Sequence, residues 1–281
     1  MSTRVVITGS GTPIPSADRA GPGVLVESDG TAIQFDAGRS TVQRLAGAGL
    51  WPTDLDGVCL THHHSDHVTG LADVVLTRWV MDRDEALSAI PIAFPDGPLT
   101  GFVEGLLDPW VDDLEVRAAH SGHPPHPGVD ARPFAAGGGP ALAIGGIEVT
   151  GFPVCHEPVT PAVGYRVRTP DGVVAITGDT KVCDLLDPLC GGADVVVAEA
   201  MRFGPIEALP EHRRFILDYH IDTRLLGAKA VEWGTSTLVL THLIPAPEAD
   251  DDVAAYESDI RRGGFEGQLV VANDLDEVVL G

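Results

Sequence analysis

Apolar residues along the chain fall into short runs separated by turn residues, and their spacing follows two periods. Residues 5–7, 24–26 and 32–35 have strand length and composition, and Asp29-Gly30 between the last two predicts a tight hairpin turn. Ser40, residues 41–48 and Gly49 read as cap, short helix and stop. The run 57–61 is a buried strand that leads directly into His62. Beyond it the spacing becomes helical, at Leu71, Val74, Val75, Arg78 and Trp79, and again at Phe102, Val103, Leu106, Leu107 and Trp110, where Pro109 interrupts. Residues 118–146 are rich in Gly, Pro and His and predict a loop suited to covering a site. Strand runs return at 147–154, 164–169, 173–177, 194–198 and 238–240, with Pro170-Asp171-Gly172 as a turn. Asp222 caps a helix that ends at Gly234, and Asp250-Asp251-Asp252 reads as a solvated helix start. Two strand-rich halves, each with helices, predict an α/β chain with two sheets face to face and helices outside.

Composition narrows the class. The chain has 281 residues, 44% of them hydrophobic, which is enough for a large core and rules out a disordered chain. No stretch approaches the ~18 apolar residues of a spanning helix, and the N-terminus runs straight into a strand, so the expectation is a cytoplasmic protein with no membrane association. Cys59, Cys155, Cys183 and Cys190 form no C-x-x-C pair and read as free thiols. Lys and Arg number 18 against 41 Asp and Glu, a formal charge of −23, which sets a nucleic-acid partner at a disadvantage.

The chemistry concentrates in His62-His63-His64-Ser65-Asp66-His67, placed at a strand end. Alternation puts His62 and His64 on one side and His63 on the other, as a packing or supporting residue, while Asp66 and His67 follow at a turn. Imidazole and carboxylate donors suit zinc and similar divalent ions. His156, Asp179 and His242 each follow a further apolar run, and Thr-His recurs at 61–62 and 241–242. Together these residues could serve two adjacent metal centres.

His62-x-His64-x-Asp66-His67 with His156, Asp179 and His242 resembles the metallo-β-lactamase-fold superfamily, most closely its ribonuclease Z and arylsulfatase-like phosphodiesterase branch. Thr8-Gly-Ser-Gly-Thr-Pro-Ile-Pro15, Phe35-Asp36-Ala37-Gly38, Gly178-Asp179-Thr180 and Leu240-Thr241-His242 carry the resemblance along nearly the whole chain. It implies a four-layer αββα sandwich, with residues 1–281 forming one hydrolase domain. It also implies that His62, His64 and His156 hold one ion, that Asp66, His67 and His242 hold the other, and that Asp179 bridges them. Asp36 would support the metal site without binding it. Zinc is the first expectation for both ions, with manganese or iron as alternatives. Two such cations about 3.5–4 Å apart would make a bridging hydroxide available at neutral pH. Asp66 would orient it, and His220, with Glu199 nearby, would assist the leaving group. His120, His123 and His126 are candidate substrate contacts, and a homodimer is compatible with the branch.

Three departures weigh against a tRNA substrate. Only 22 residues separate His156 from Asp179, which leaves no room for a basic RNA-gripping arm; His220-Ile221-Asp222 replaces an expected His-Ser-Thr; and the charge is −23. The reading drawn is therefore a dinuclear hydrolase of a small ester, a phosphodiester or sulfate ester first and a lactone or carboxylic ester second, with nucleic acid disfavoured. Ribonuclease Z-type tRNA 3′ processing is the alternative, and a mono-iron thiol or persulfide dioxygenase the second.

Overall fold

The computed structural model describes residues 2–82, 87–122 and 124–281. In chain order the strands are β1 (Thr3–Gly9), β2 (Gly23–Ser28), β3 (Thr31–Phe35), β4 (Gly57–Cys59), β5 (Pro91–Pro95), β6 (Asp130–Phe134), β7 (Gly139–Ile144), β8 (Ile147–Pro153), β9 (Val163–Thr169), β10 (Gly172–Ile176), β11 (Val195–Met201), β12 (Thr237–Ile244), β13 (Gln268–Val271) and β14 (Glu277–Leu280). The helices are α1 (Thr41–Gly47), α2 (Ser65–Val68), α3 (Leu71–Met81), α4 (Pro98–Glu104), α5 (Val111–Ser121), α6 (Leu186–Cys190), α7 (Phe203–Glu207), α8 (Thr223–Trp233) and α9 (Asp250–Arg262).

The strands form two seven-stranded sheets, ordered β14-β1-β2-β3-β4-β5-β6 and β13-β12-β11-β10-β9-β8-β7. Each is antiparallel on one side and parallel on the other, with the change at β3 in the first sheet and β10 in the second. Strand alternation sorts the side chains into layers. Val5, Ile7, Val24 and Val26 of the first sheet meet Val174, Ile176, Val195 and Val197 of the second in the central core. Val6 and Leu25 point the other way, onto Leu45, Leu71 and Val75 of α1 and α3. Ala175, Val196 and Ala198 likewise turn outward onto Leu226, Ala230 and Ile260 of α8 and α9. Three apolar layers between two sheets and two helix sets make the expected αββα sandwich. The central parallel strands are covered on both faces, so β11 is buried at every position and is apolar at all but Glu199.

Several local expectations hold. Ser28 pairs with Thr31 across Asp29 and Gly30, both at positive φ, which is the two-residue hairpin. The Asp222 side chain accepts the Arg224 N–H at the start of α8, and α9 starts on the acid run. Others are corrected. Ser40 precedes α1 in a left-handed conformation and makes no side-chain cap. Residues 118–146 are not a covering loop: α5 continues to Ser121, and β6 and β7 supply the last strand of each sheet. Edge pairing needs only one neighbour, so β6 tolerates Pro133 and β7 starts on glycine despite poor strand propensity. Among the described residues no helix is long and apolar enough to cross a membrane.

Helix packing yields a stability test. A Cβ built on Gly227 in α8 would lie 2.1 Å from the Ile260 carbonyl oxygen of α9, whereas one on Gly101 in α4 would meet nothing within 4 Å. Gly101→Ala should gain about 0.5–1 kcal/mol from helix propensity. Gly227→Ala should lose about 1–3 kcal/mol, because overpacking outweighs the same propensity gain. Denaturant unfolding checks the opposite signs; a stabilised Gly227→Ala would contradict the close approach of α8 and α9.

Candidate metal centre

The candidate residues meet where the strands of both sheets end, which is where the chain turns and side chains lose their neighbours in the layer. After β4 the backbone stays extended through His64, then α2 makes a single turn that buries Asp66 and His67. His63 points outward and packs its ring against Phe102 at 5.3 Å, as its place in the alternation predicts. His156 follows β8, and Asp179 follows β10. His242 is not at a strand terminus as the sequence pattern implies. It lies inside β12 at a register shift: Glu199 pairs with Thr241 and Ala200 with Leu243, which leaves His242 as the extra residue. Its φ of 48° is rare for a non-glycine residue, and the bulge turns its imidazole toward the cluster.

His62, His64, His156 and Asp179 form one group of potential donors and Asp66, His67 and His242 a second, with donor atoms in each group within 4.8 Å of one another. Asp179 Oδ2 lies between them, 3.8 Å from His62 Nε2, 4.0 Å from His156 Nε2, 3.4 Å from His67 Nε2 and 3.5 Å from His242 Nε2. Asp66 Oδ2 is 3.8 Å from His67 Nε2 and 3.5 Å from His242 Nε2. His156 Nε2 and His64 Nδ1 stand 3.3 Å apart. Five buried atoms here, His62 Nε2, Asp66 Oδ2, His67 Nε2 and both ring nitrogens of His242, have no hydrogen-bond partner. Buried polar atoms are seldom left so. Convergent orphaned imidazole and carboxylate donors fit a pair of divalent cations.

Protonation agrees with that fit. Burial, then neighbouring imidazoles, hold His62 and His64 below the ordinary imidazole range, so their lone pairs are free at neutral pH. Burial alone would raise Asp179 and Asp66. The imidazoles of His242 and His67 outweigh it and keep both carboxylates ionised. Burial would lower His67, yet the carboxylates of Asp179 and Asp36 pull it well above its usual value. A buried crevice this rich in carboxylate attracts positive charge.

Asp36 organises the donors from behind. It accepts the Thr61 N–H at 2.8 Å and the Thr61 hydroxyl at 2.8 Å, and His67 Nδ1 lies 2.7 Å from its Oδ2. Thr61 Oγ1 in turn lies 2.9 Å from His62 Nδ1. This contact gives one meaning to the recurring Thr-His pair, and Thr61 is a site residue that the sequence reading did not single out. His156 Nδ1 donates to the Tyr219 carbonyl at 3.0 Å. That partner has no sequence signature, since every residue offers a carbonyl.

His220 is buried beside the cluster, and with Asp179 and His242 it makes a third group of potential donors. Its Nδ1 sits 2.9 and 3.0 Å from the two Glu199 oxygens. Burial would lower it, but the Glu199 carboxylate raises it to about 9. Glu199 also accepts the Thr180 N–H at 2.8 Å, so it ties His220 to the backbone next to Asp179. The candidate contacts in 118–126 are elsewhere. His120 is exposed on α5, and His126 packs on Trp79 at 5.7 Å and accepts the Gly128 N–H. Both precede β6, which runs parallel to β5 and β4, so they lie at the end of the sheet away from the cluster. His123 lies outside the described residues.

Residues 31–243 match the family model described as beta-lactamase superfamily domain. The chain is 36% identical to a protein of Mycobacterium bovis (strain BCG / Pasteur 1173P2) called ribonuclease Z, over 98% of this chain and 97% of that one. Among solved structures it is similar to the metallo-beta-lactamase fold protein YhfI of Bacillus subtilis, with TM-score 0.75, 20% identity, and 99% and 100% of the two chains covered. It is also similar to the short form of human tRNase Z, with TM-score 0.68, 18% identity, and 99% of each chain covered. The full-length ribonuclease Z relative overturns the expectation of a small-molecule partner with nucleic acid disfavoured. Net charge misled because it sums the whole surface, while a polyanion meets only the face around the site. The match over nearly the full length of both chains, together with the family model, shows that the chain belongs to the ribonuclease Z group of the beta-lactamase superfamily and is a metal-dependent hydrolase of ester bonds.

Proposed function

We propose that residues 1–281 act as one ribonuclease Z-type phosphodiesterase that removes a 3′ trailer from a tRNA precursor. The observation that carries this reading is Asp179 Oδ2 standing between two donor groups, in a chain aligned end to end with a ribonuclease Z. His62, His64 and His156 would hold one divalent ion, Asp66, His67 and His242 the other, and Asp179 both. Zinc suits this donor set best. When bound, such a pair supplies Lewis-acid polarisation of a phosphoryl oxygen and an acidified water. Asp66 has an orphaned oxygen on the inner side of the site and can align the attacking water. With Nδ1–H on Glu199, His220 presents Nε2 to the substrate side. It protonates the leaving oxygen, and Glu199 fixes the ring's tautomer and tilt. Zinc-loaded protein should cleave a tRNA precursor at its 3′ trailer. Cleavage of aryl esters with none of RNA would sink the reading.

Asp179→Ala should lower occupancy of both metal sites, and Asp36→Asn should weaken metal affinity by about 10–100-fold while leaving every ligand in place. Competition against a chromophoric chelator measures both; unchanged affinity in Asp36→Asn would remove its supporting role. His220→Ala should keep both metals and lose roughly 10²–10⁴ in kcat on RNA. The loss should shrink for nitrophenyl diesters, whose leaving groups need little proton assistance. Loss of metal in that variant would instead make His220 a ligand, as its place in the third donor group allows.

A further inference from the structure

The segment between α7 and His220 stands apart from the rest of the surface. Most other arginines and lysines on this chain are engaged by acids or carbonyls: Arg4 by Glu27, Arg44 by Asp274, Lys181 by Glu157, Arg224 by Asp222 and Glu207, Arg39 by the carbonyls of Thr12 and Pro13. The Arg213 side chain has no ion pair or hydrogen bond among the described residues, and it is exposed between His212 and Arg214, which are exposed too, although the Arg214 guanidinium donates to the Leu209 carbonyl. Phe215 follows and is 60% exposed, unusual for so large an apolar ring. With Glu211 and Asp218, residues 211–219 carry two acids and two arginines, a neutral strip on a chain of charge −23.

This strip is fastened to the site at one end. Tyr219 accepts His156 Nδ1 through its carbonyl. Its ring lies 5.2 Å from the His156 ring at 89° and 4.8 Å from the His220 ring. Phe215 lies 6.3 Å from Tyr219 on the outward side. The rings therefore step from the candidate ligands to the surface, and the exposed Arg213 precedes Phe215 by two residues in the chain. An exposed aromatic face beside an unpaired cation is what a single strand needs: a base stacks on the ring, and a phosphate meets the arginine.

We infer that residues 211–219 form a platform for the single-stranded RNA flanking the scissile phosphate, with a nucleobase stacked on Phe215 and a backbone phosphate at Arg213. The inference rests on the ribonuclease Z reading, and it supplies a substrate-gripping surface on a chain too short between His156 and Asp179 for a separate arm.

The experiment uses full-length zinc-loaded protein with a tRNA precursor carrying a single-stranded trailer, and bis(p-nitrophenyl) phosphate as the small diester. Phe215→Ala should lose about tenfold or more in kcat/KM on RNA, mainly through KM, and Phe215→Trp should restore it. Both should turn over the small diester like the wild type. One abasic nucleotide in the trailer should cost the wild type a similar factor and cost Phe215→Ala little more. Arg213→Ala should lower the salt dependence of RNA binding by about 0.7 in log–log slope. RNA cleavage unchanged in both alanine variants would overturn the platform and leave the ribonuclease reading standing. Equal losses on both substrates would make the segment a structural support and overturn it as well. A wild type that cleaves the small diester and no RNA would take both readings down.

Discussion

Charge held in a buried crevice governs this molecule. Two apolar sheets close on each other, and at their common end the chain buries the carboxylates of Asp36, Asp66, Asp179 and Glu199 among five imidazoles of nearly complete burial. Isolated carboxylates in such a place would be costly, and orphaned ring nitrogens add to the cost. Asp36 is satisfied by Thr61 and His67, and Glu199 by Thr180 and His220. Asp66 and Asp179 are left facing the inner nitrogens of the histidines, and a pair of divalent cations balances that arrangement. The same arrangement explains why the hydrophobic layers stop where they do, since the donors follow apolar strands or, as with His242, sit at a bulge near the end of one.

The supporting carboxylates divide the work. Asp36 reaches one histidine of each donor group, His67 directly and His62 through Thr61, so a single side chain sets the aim of both groups. Glu199 does the same for His220 from the opposite sheet. Orientation thus comes from groups that do not themselves face the reacting atoms, as is usual around metal-binding histidines.

Much of this is legible in the sequence. Polar and apolar positions alternate in β8, where Ile147 and Val149 are buried and Glu148 is exposed, and β11, apolar at every position but Glu199, marks a strand covered on both faces. The histidine tract and the three later donors are readable because each interrupts an apolar run with a residue that has no business in a core. Features decided by tertiary pairing were not legible. β6 and β7 have weak propensity and exist because each sheet had an open edge. The bulge at His242 arises from register with β11, and the Tyr219 carbonyl partner is set by where the chain passes. Net charge was legible and misleading, because it sums the whole surface and says nothing of the face around the site.

Crystals grown with zinc, measured for anomalous scattering on both sides of the zinc absorption edge, test the central claim most directly. Two anomalous peaks per chain should appear on either side of Asp179 Oδ2, one among His62, His64 and His156 and the other among Asp66, His67 and His242. A single peak, or none with the seven side chains placed as described here, would contradict a dinuclear centre.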